Sequence, residues 1–147
     1  MAKLLDTCAY ELMDTALKIM QAIRVEMRRG RGSDISIPQF RSLAFIQRNP
    51  DSSLSSLAEH LGLKLPSVSK LVDGLVKQKL VIRQESTTDR RRLTLVLTQV
   101  GASIVNSARA VAQASLANKL EGLSENELET IYQAMKLLRP IFVSQSR

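Results

Sequence analysis

Tryptophan is absent, and aromatic residues make up only 3% of the 147-residue chain. Platforms for single-stranded nucleic acid need exposed aromatic faces, so among polyanions duplex DNA is the better candidate partner. The single cysteine cannot make an internal disulfide, which points to a reducing cytoplasm. No apolar run approaches the ~20 residues of a spanning helix, and MAKLLDTCAYELMD lacks a signal peptide's apolar stretch. No membrane association is expected. The one histidine, His60, has Glu59 beside it, yet sequence neighbours do not share a helix face. CxxC, HExxH and glycine-rich phosphate loops are missing, and the six glycines are scattered. Glu125, Glu127 and Glu129 open a helix, where the macrodipole favours carboxylates without any catalytic role. Neither an enzyme, nor a metal site, nor a cofactor is expected.

What is present is apolar residue and positive charge. A 44% hydrophobic, 24% charged chain of this length is one globular domain, or one domain with dimerisation arms. The net charge is +7 and the sequence pI about 10.0, a balance that suits a polyanion or serves solubility alone. Its distribution is uneven. Between residues 64 and 92 lie Lys64, Lys70, Lys77, Lys79, Arg83, Arg90, Arg91 and Arg92, against only Asp73, Glu85 and Asp89. That window carries most of the excess.

Periodicity orders the chain. Leu5, Cys8, Leu12, Ile19 and Ile23, widened by Met13, Leu17, Met20 and Met27, predict a helix over 4–29. Gly30 and Gly32 follow as left-handed terminators, and Arg28 and Arg29 suit the negative helix end or could touch phosphate. A helix over 38–48 opens at Pro38 and buries Phe40, Leu43, Ala44 and Ile46 before Asn49 and Pro50 stop it. Ser53 is placed to cap a helix through His60 that buries Leu54, Leu57, Ala58 and Leu61. Past Gly62, Pro66 opens a helix with Val68, Leu71, Val72, Leu75 and Val76 on its apolar face. Strands over 80–85 and 92–98 flank a turn rich in turn formers, with Leu93, Leu95 and Leu97 alternating.

A long helix over 99–120 carries Val100, Ile104, Ala108, Val111, Ala112 and Leu116. Ser124 and Glu127 then form a capping box, with Leu123 and Leu128 as its staple. Leu128, Ile131, Met135, Leu138 and Phe142 follow as a heptad-like seam, with Pro140 placed to kink its end. Such a seam suits a partner helix or an internal core face equally.

The centre of the chain reads SSLAEHLGLKLPSVSKLVDGL: a helix, a glycine turn and a second helix opening on small polar residues. A helix-turn-helix needs that order, because the first helix braces the second so that its N-terminal residues enter the major groove. Ser67, Ser69, Lys70 and Asp73 lie off the apolar face. Serine can meet base edges, while lysine reaches guanine or phosphate. The hairpin follows at once, and Arg90 and Arg91 at its tip suit the negative potential of a narrow minor groove. Asp89 would be repelled by phosphate, so its expected task is to hold a neighbouring arginine in a bidentate pair.

In this order and spacing the chain resembles the MarR (multiple-antibiotic-resistance regulator) family of winged-helix transcription factors. The resemblance rests on IPQFRSLAFI, LAEHLGLKLPSVSKLVDGLVKQKLV and DRRRLTLVLTQVG, whose Asp89, Arg90, Arg91, Leu97, Thr98 and Gly101 match the family's wing signature. It implies a mainly α fold with a small β-hairpin wing: an N-terminal dimerisation helix over 1–34, the winged helix-turn-helix over 35–100, and C-terminal dimerisation helices over 101–147. It further implies a homodimer bound to a pseudo-palindromic operator, usually as a repressor. By position Ser67, Ser69 and Lys70 become base or phosphate readers, Arg90 (or else Arg91) the minor-groove residue, and Asp89 its support.

Two departures bear on these roles. Lys64 and Leu65 stand where a polar cap is common, so the first contacts of the reading helix, Lys64 among them, differ; Arg92 is a third wing arginine, expected to face solvent. Family members respond to a small effector such as a phenolic compound, or to oxidation of a cysteine. Cys8 lies too far upstream of IPQF for the second pattern and has only Tyr10 nearby, which favours a buried or incidental thiol. The competing function is a winged-helix module that works through protein partners, its basic patch serving solubility.

Overall fold

The computed structural model describes residues 1–32, 34–86, 88–89 and 91–143. Among these the chain runs α1 (Ala2–Gly30), α2 (Ile37–Arg48), α3 (Leu54–Leu61), α4 (Leu65–Lys77), β1 (Val81–Glu85), β2 (Leu93–Leu97), α5 (Gln99–Leu120) and α6 (Glu125–Phe142). The fold is mainly helical with a two-stranded antiparallel wing. It divides into two compact units, Met1–Ala112 and Gln113–Arg147.

The first unit holds the core. Leu43 of α2, Leu57 of α3, Val68, Val72 and Leu75 of α4, Val81 of β1 and Val105 of α5 are all fully buried. Burying a side chain of this kind stabilises by about 1.5–3 kcal/mol, so these positions hold the helix-turn-helix to the wing. In the hairpin Val81 pairs with Leu97 and Glu85 with Leu93. Ser52 adds an isolated bridge on the free edge of β2, its C=O accepting the Leu95 N–H at 2.9 Å.

Caps fix the helix starts. At α2 the Ser36 hydroxyl accepts the Gln39 N–H at 3.2 Å, while the Gln39 side chain accepts the Ser36 N–H at 3.0 Å. That reciprocal box adds to Pro38, the start signal expected from sequence. Ser53 caps α3 as expected, with Ser56 returning the bond.

Three local expectations are corrected. Gly30 does not terminate α1: the helix runs through it, and only Gly32 is left-handed, at φ 82°. Gly30 is instead a close-approach residue, where a Cβ would sit 2.6 Å from the Ala108 Cα. On α5 the buried face is Gly101, Val105, Ala108 and Ala112, one step round from the expected stripe, leaving Val100 and Val111 exposed. The β2 alternation is broken, because Thr94 is buried beside Leu95 while Leu93 is exposed. Thr94 satisfies its hydroxyl by donating to the Gln84 C=O across the hairpin at 3.3 Å.

In the second unit α6 starts at the expected capping box, with Ser124 and Glu127 bonded in both directions at 2.8 and 3.2 Å. The helix continues past Pro140 to Phe142. No residue of α6 is buried, and none of α1 is either. Cys8, on α1, is exposed rather than buried. Among the described residues no helix is long and apolar enough to cross a membrane.

Gly101 gives the sharpest test of this packing. A Cβ there would collide with the Leu80 C=O, main chain that no rotamer change can move aside. Gly101→Ala should lower stability by about 1–3 kcal/mol, the usual cost of overpacking. Urea unfolding at fixed chain concentration measures it, and an unchanged midpoint would contradict the close approach.

Candidate nucleic-acid interface

Between α3 and α4 the chain turns on Gly62, at φ 68° and ψ 29°, a left-handed conformation in which glycine carries no Cβ penalty. The Leu63 N–H closes the turn on the Ala58 C=O at 3.1 Å. Lys64 then occupies the N-cap of α4 with extended backbone and no side-chain cap bond. The first N–H groups of α4 thus remain open to an outside acceptor at the positive end of the helix. Val68, Val72 and Leu75 face the core. Lys64, Ser67 and Lys70 are exposed and Ser69 is half-buried.

Asp73 is not a free member of that polar face. It accepts from Arg83 of β1 at 2.5 Å, an ion pair that ties the reading helix to the first strand of the wing. Arg83 therefore acts on α4, whereas its sequence position showed only one more cation in the basic window. Both partners are substantially exposed, so the pair contributes orientation more than stability.

Wing geometry centres on Ser86, which is buried. Its hydroxyl donates to the Asp51 carboxylate at 3.1 Å and accepts the N–H groups of Thr88 and Asp89 at 3.2 and 3.3 Å. Asp89 in turn accepts the Arg91 N–H on Oδ1 at 3.0 Å, and its C=O accepts the Arg92 N–H, also at 3.0 Å. Among the described residues the Asp89 carboxylate is bonded to main chain, while the arginine pair expected from sequence would involve a neighbour, Arg90, that lies outside them. An Asx turn of this kind is local and needs no charge pair. Arg90 lies outside the described residues. Arg91 and Arg92 are exposed, and neither enters an ion pair among the described residues.

Every described lysine and arginine of the basic window is exposed, on or beside α4, on β1 or at the hairpin tip. The Asp73–Arg83 pair and the shared core set the relation between α4 and the hairpin. His60 stacks on Phe45, with ring centroids 4.5 Å apart, and so serves packing.

A second feature lies where α1 ends and α2 begins. A cavity of about 310 Å³ is lined by Arg24, Met27, Arg28, Arg31, Phe40 and Arg41, with Ile23 and Ile37. Its lining holds four guanidinium groups and no carboxylate. Nε and Nη1 of Arg31 are buried there without a hydrogen-bond partner among the described residues, an unusual state for a charged donor. Farther along, burial and then the nearby Arg48 guanidinium push Arg109 below the usual arginine range. Sequence reading found no polar cluster for a small ligand, because these arginines come from α1, its C-cap and α2, which only the fold brings together.

Comparison with known proteins agrees with this architecture. The model of the MarR family matches residues 33–92, which span α2, the reading helix and most of the wing. An uncharacterised HTH-type transcriptional regulator of Bacillus subtilis, YfiV, is 30% identical over 105 residues, 71% of this chain. The aligned stretch is 66% of that protein's length. Among solved structures, a transcriptional regulator from Thermotoga maritima superposes with a TM-score of 0.77 at 22% identity, covering 90% of this chain and 94% of that one. A MepR variant from S. aureus, solved bound to an oligodeoxyribonucleotide, gives a TM-score of 0.58 at 22% identity, covering 90% of this chain and 96% of that one. At such identities the structures speak for the fold. The chain belongs to the MarR family of winged helix-turn-helix transcriptional regulators.

Proposed function

We propose that this protein regulates transcription as a homodimer on duplex DNA, in the cytoplasm, by binding rather than by catalysis and without a cofactor. The observation that carries the reading is the exposed polar start of α4, with Ser67 and Lys70 outward, beside a hairpin whose tip presents Arg91. Lys64, Ser67, Ser69 and Lys70 meet bases or phosphates in the major groove. The wing enters the minor groove through Arg90 or Arg91, with Asp89 supporting the tip through main chain. The operator is pseudo-palindromic, its half-sites about one helical turn apart, and occupancy represses. An oligodeoxyribonucleotide complex of a structurally similar protein supports this assignment.

Dimerisation follows from the helices at the two ends. Leu5, Tyr10, Met13 and Leu17 of α1 are each more than half exposed, as are Ile141 and Phe142 of α6. Apolar surface on this scale marks an interaction face. A second copy of the chain covers it, which gives residues 1–34 and 101–147 their dimerising role and leaves 35–100 to read DNA.

The arginine-lined cavity holds the effector. Four cationic groups around Met27 and Phe40 suit a small amphipathic anion, such as a phenolic or aromatic carboxylate compound, and Arg31, whose Nε and Nη1 lack a partner among the described residues, is the group its binding would engage. Because α1 belongs to the dimer and α2 to the reading unit, a ligand there alters the spacing of the two reading helices.

Four experiments decide these points. Log affinity for a duplex selected from a random pool should fall with log salt by about 0.9 per phosphate contact. Ser67→Ala or Lys70→Ala should cost about 1–3 kcal/mol at particular base pairs, and Arg90→Ala or Arg91→Ala should relax A·T preference at the flanks. Absence of duplex binding at low salt would leave the protein-partner module standing. Sedimentation should give twice the 16.3 kDa chain mass, reverting to one chain in Leu17→Glu. Benzoate at ~100 times its Kd should stabilise by about 2.7 kcal/mol, and Arg31→Ala should remove most of that gain. An equal response in both proteins would exclude the cavity.

A further inference from the structure

Asp51 is one of two non-glycine residues with left-handed backbone among the described residues, at φ 66°. It lies in the short connection between α2 and α3, just before the Ser53 cap. A left-handed position favours glycine, and asparagine and aspartate tolerate it better than other side chains. Aspartate here adds a carboxylate, and that carboxylate reaches thirty-five residues along the chain. It accepts from the buried Ser86 hydroxyl on both oxygens, at 3.1 and 3.3 Å, and from the Thr88 hydroxyl at 3.4 Å. Ser86 then holds the N–H groups of Thr88 and Asp89, and Asp89 holds that of Arg91.

We propose that Asp51 is a positioning residue for DNA reading, a latch that hangs the arginine tip of the wing from the loop in front of the helix-turn-helix. This rests on the duplex-binding reading above. Beyond the latch, the described links between that loop and the hairpin include the Leu95 N–H to Ser52 C=O bond, which holds β2 but not the tip. Without the carboxylate the strands stay paired while the tip swings, and the arginines reach the minor groove only at a cost in order. A negative charge behind a surface that approaches phosphate is unfavourable in itself. It is retained because an anionic acceptor roughly doubles the strength of the bonds it receives.

The test compares wild type with Asp51→Gly, Asp51→Asn and Ser86→Ala. Glycine keeps the left-handed backbone and removes the acceptor; asparagine keeps one acceptor oxygen; Ser86→Ala breaks the same relay from the wing side without touching the α3 cap. On a duplex selected by wild type from a random pool, Asp51→Gly and Ser86→Ala should each bind about tenfold more weakly, as loss of a hydrogen bond to a charged group implies. Hydroxyl-radical protection at the flanks should vanish, and the salt slope should drop by about 0.9 for each phosphate that the tip no longer neutralises. Protection of central guanine N7 from methylation, which reports α4, should persist at saturating protein. Asp51→Asn, with one neutral acceptor, should fall between wild type and Asp51→Gly in both affinity and flank protection.

Retained flank protection in both Asp51→Gly and Ser86→Ala overturns the latch. So does parallel loss of flank and central protection in step with the urea midpoint, which would make the interaction merely structural. Amide exchange in the free proteins keeps the two readings apart. The Asp89 and Arg91 N–H groups should exchange faster in Asp51→Gly while those of β1 and β2 do not. If wild type selects no duplex, duplex binding fails, and exchange rates unchanged by the substitution would overturn the latch as well.

Discussion

Thr98 sits where three elements meet, and its hydroxyl joins them. It donates to the Lys79 C=O at 2.7 Å, just past the end of α4, and accepts the Gly101 N–H at 3.1 Å in the first turn of α5. The Thr98 N–H closes on the Leu80 C=O at 3.0 Å. Exit from the reading helix, exit from the wing and entry to α5 are thereby fixed within a few residues. Lys79 accepts a left-handed φ of 59° to make the turn, a cost on the order of 1 kcal/mol for a residue with a Cβ. Gly101 is required because its backbone lies directly on Leu80. The Leu-Thr-x-x-Gly pattern is thus the junction that fixes the start of α5 to the end of α4 and of the wing.

The wing is tied to the rest at two levels. Along its length, strand pairing and the Ser52 bridge hold β1 and β2 by main chain, with the Thr94 hydroxyl adding a bond to the Gln84 C=O. At its base and tip the ties are side-chain carboxylates, Asp73 receiving Arg83 and Asp51 receiving Ser86. Main-chain pairing fixes where the hairpin starts but allows twist toward the tip. The carboxylate ties restrict that twist, one against the reading helix and one against the loop before α3.

Much of this is legible in the sequence, and where it is not the reasons are physical. Helix starts and stops follow local chemistry, so Ser53, Gly62 and the Ser124–Glu127 box fall where spacing places them. The α4 apolar face is correct because one helix packing on one core gives a clean period. The α5 face slips by a step because small residues, Gly101, Ala108 and Ala112, make its close contacts, and hydrophobicity does not mark them. Gly30 misleads for the same reason: a helical glycine selected for close approach looks like a terminator. Asp51 and Arg83 are invisible as partners, since each contact joins segments related only by the fold. Reading Asp89 as an arginine holder uses charge alone and passes over its main-chain bond to Arg91, a local contact of the kind an aspartate in a turn makes.

The main-chain contact of Asp89 has an electrostatic consequence. An arginine held in a bidentate pair loses much of its attraction for phosphate, because its charge is already neutralised at short range. Here Asp89 directs its carboxylate to the Arg91 main chain, and Asp51 directs its own to hydroxyl groups. Among the described residues, these two carboxylates at the tip bind neutral donors. Arg91 and Arg92 have exposed side chains outside any ion pair among the described residues, and the N–H groups of both are held by Asp89. Order and charge, which a salt bridge would trade against each other, are supplied by different parts of the same residues. A guanidinium presented in this way meets a phosphate or a narrow groove with little ordering left to do, the condition under which a single contact counts most.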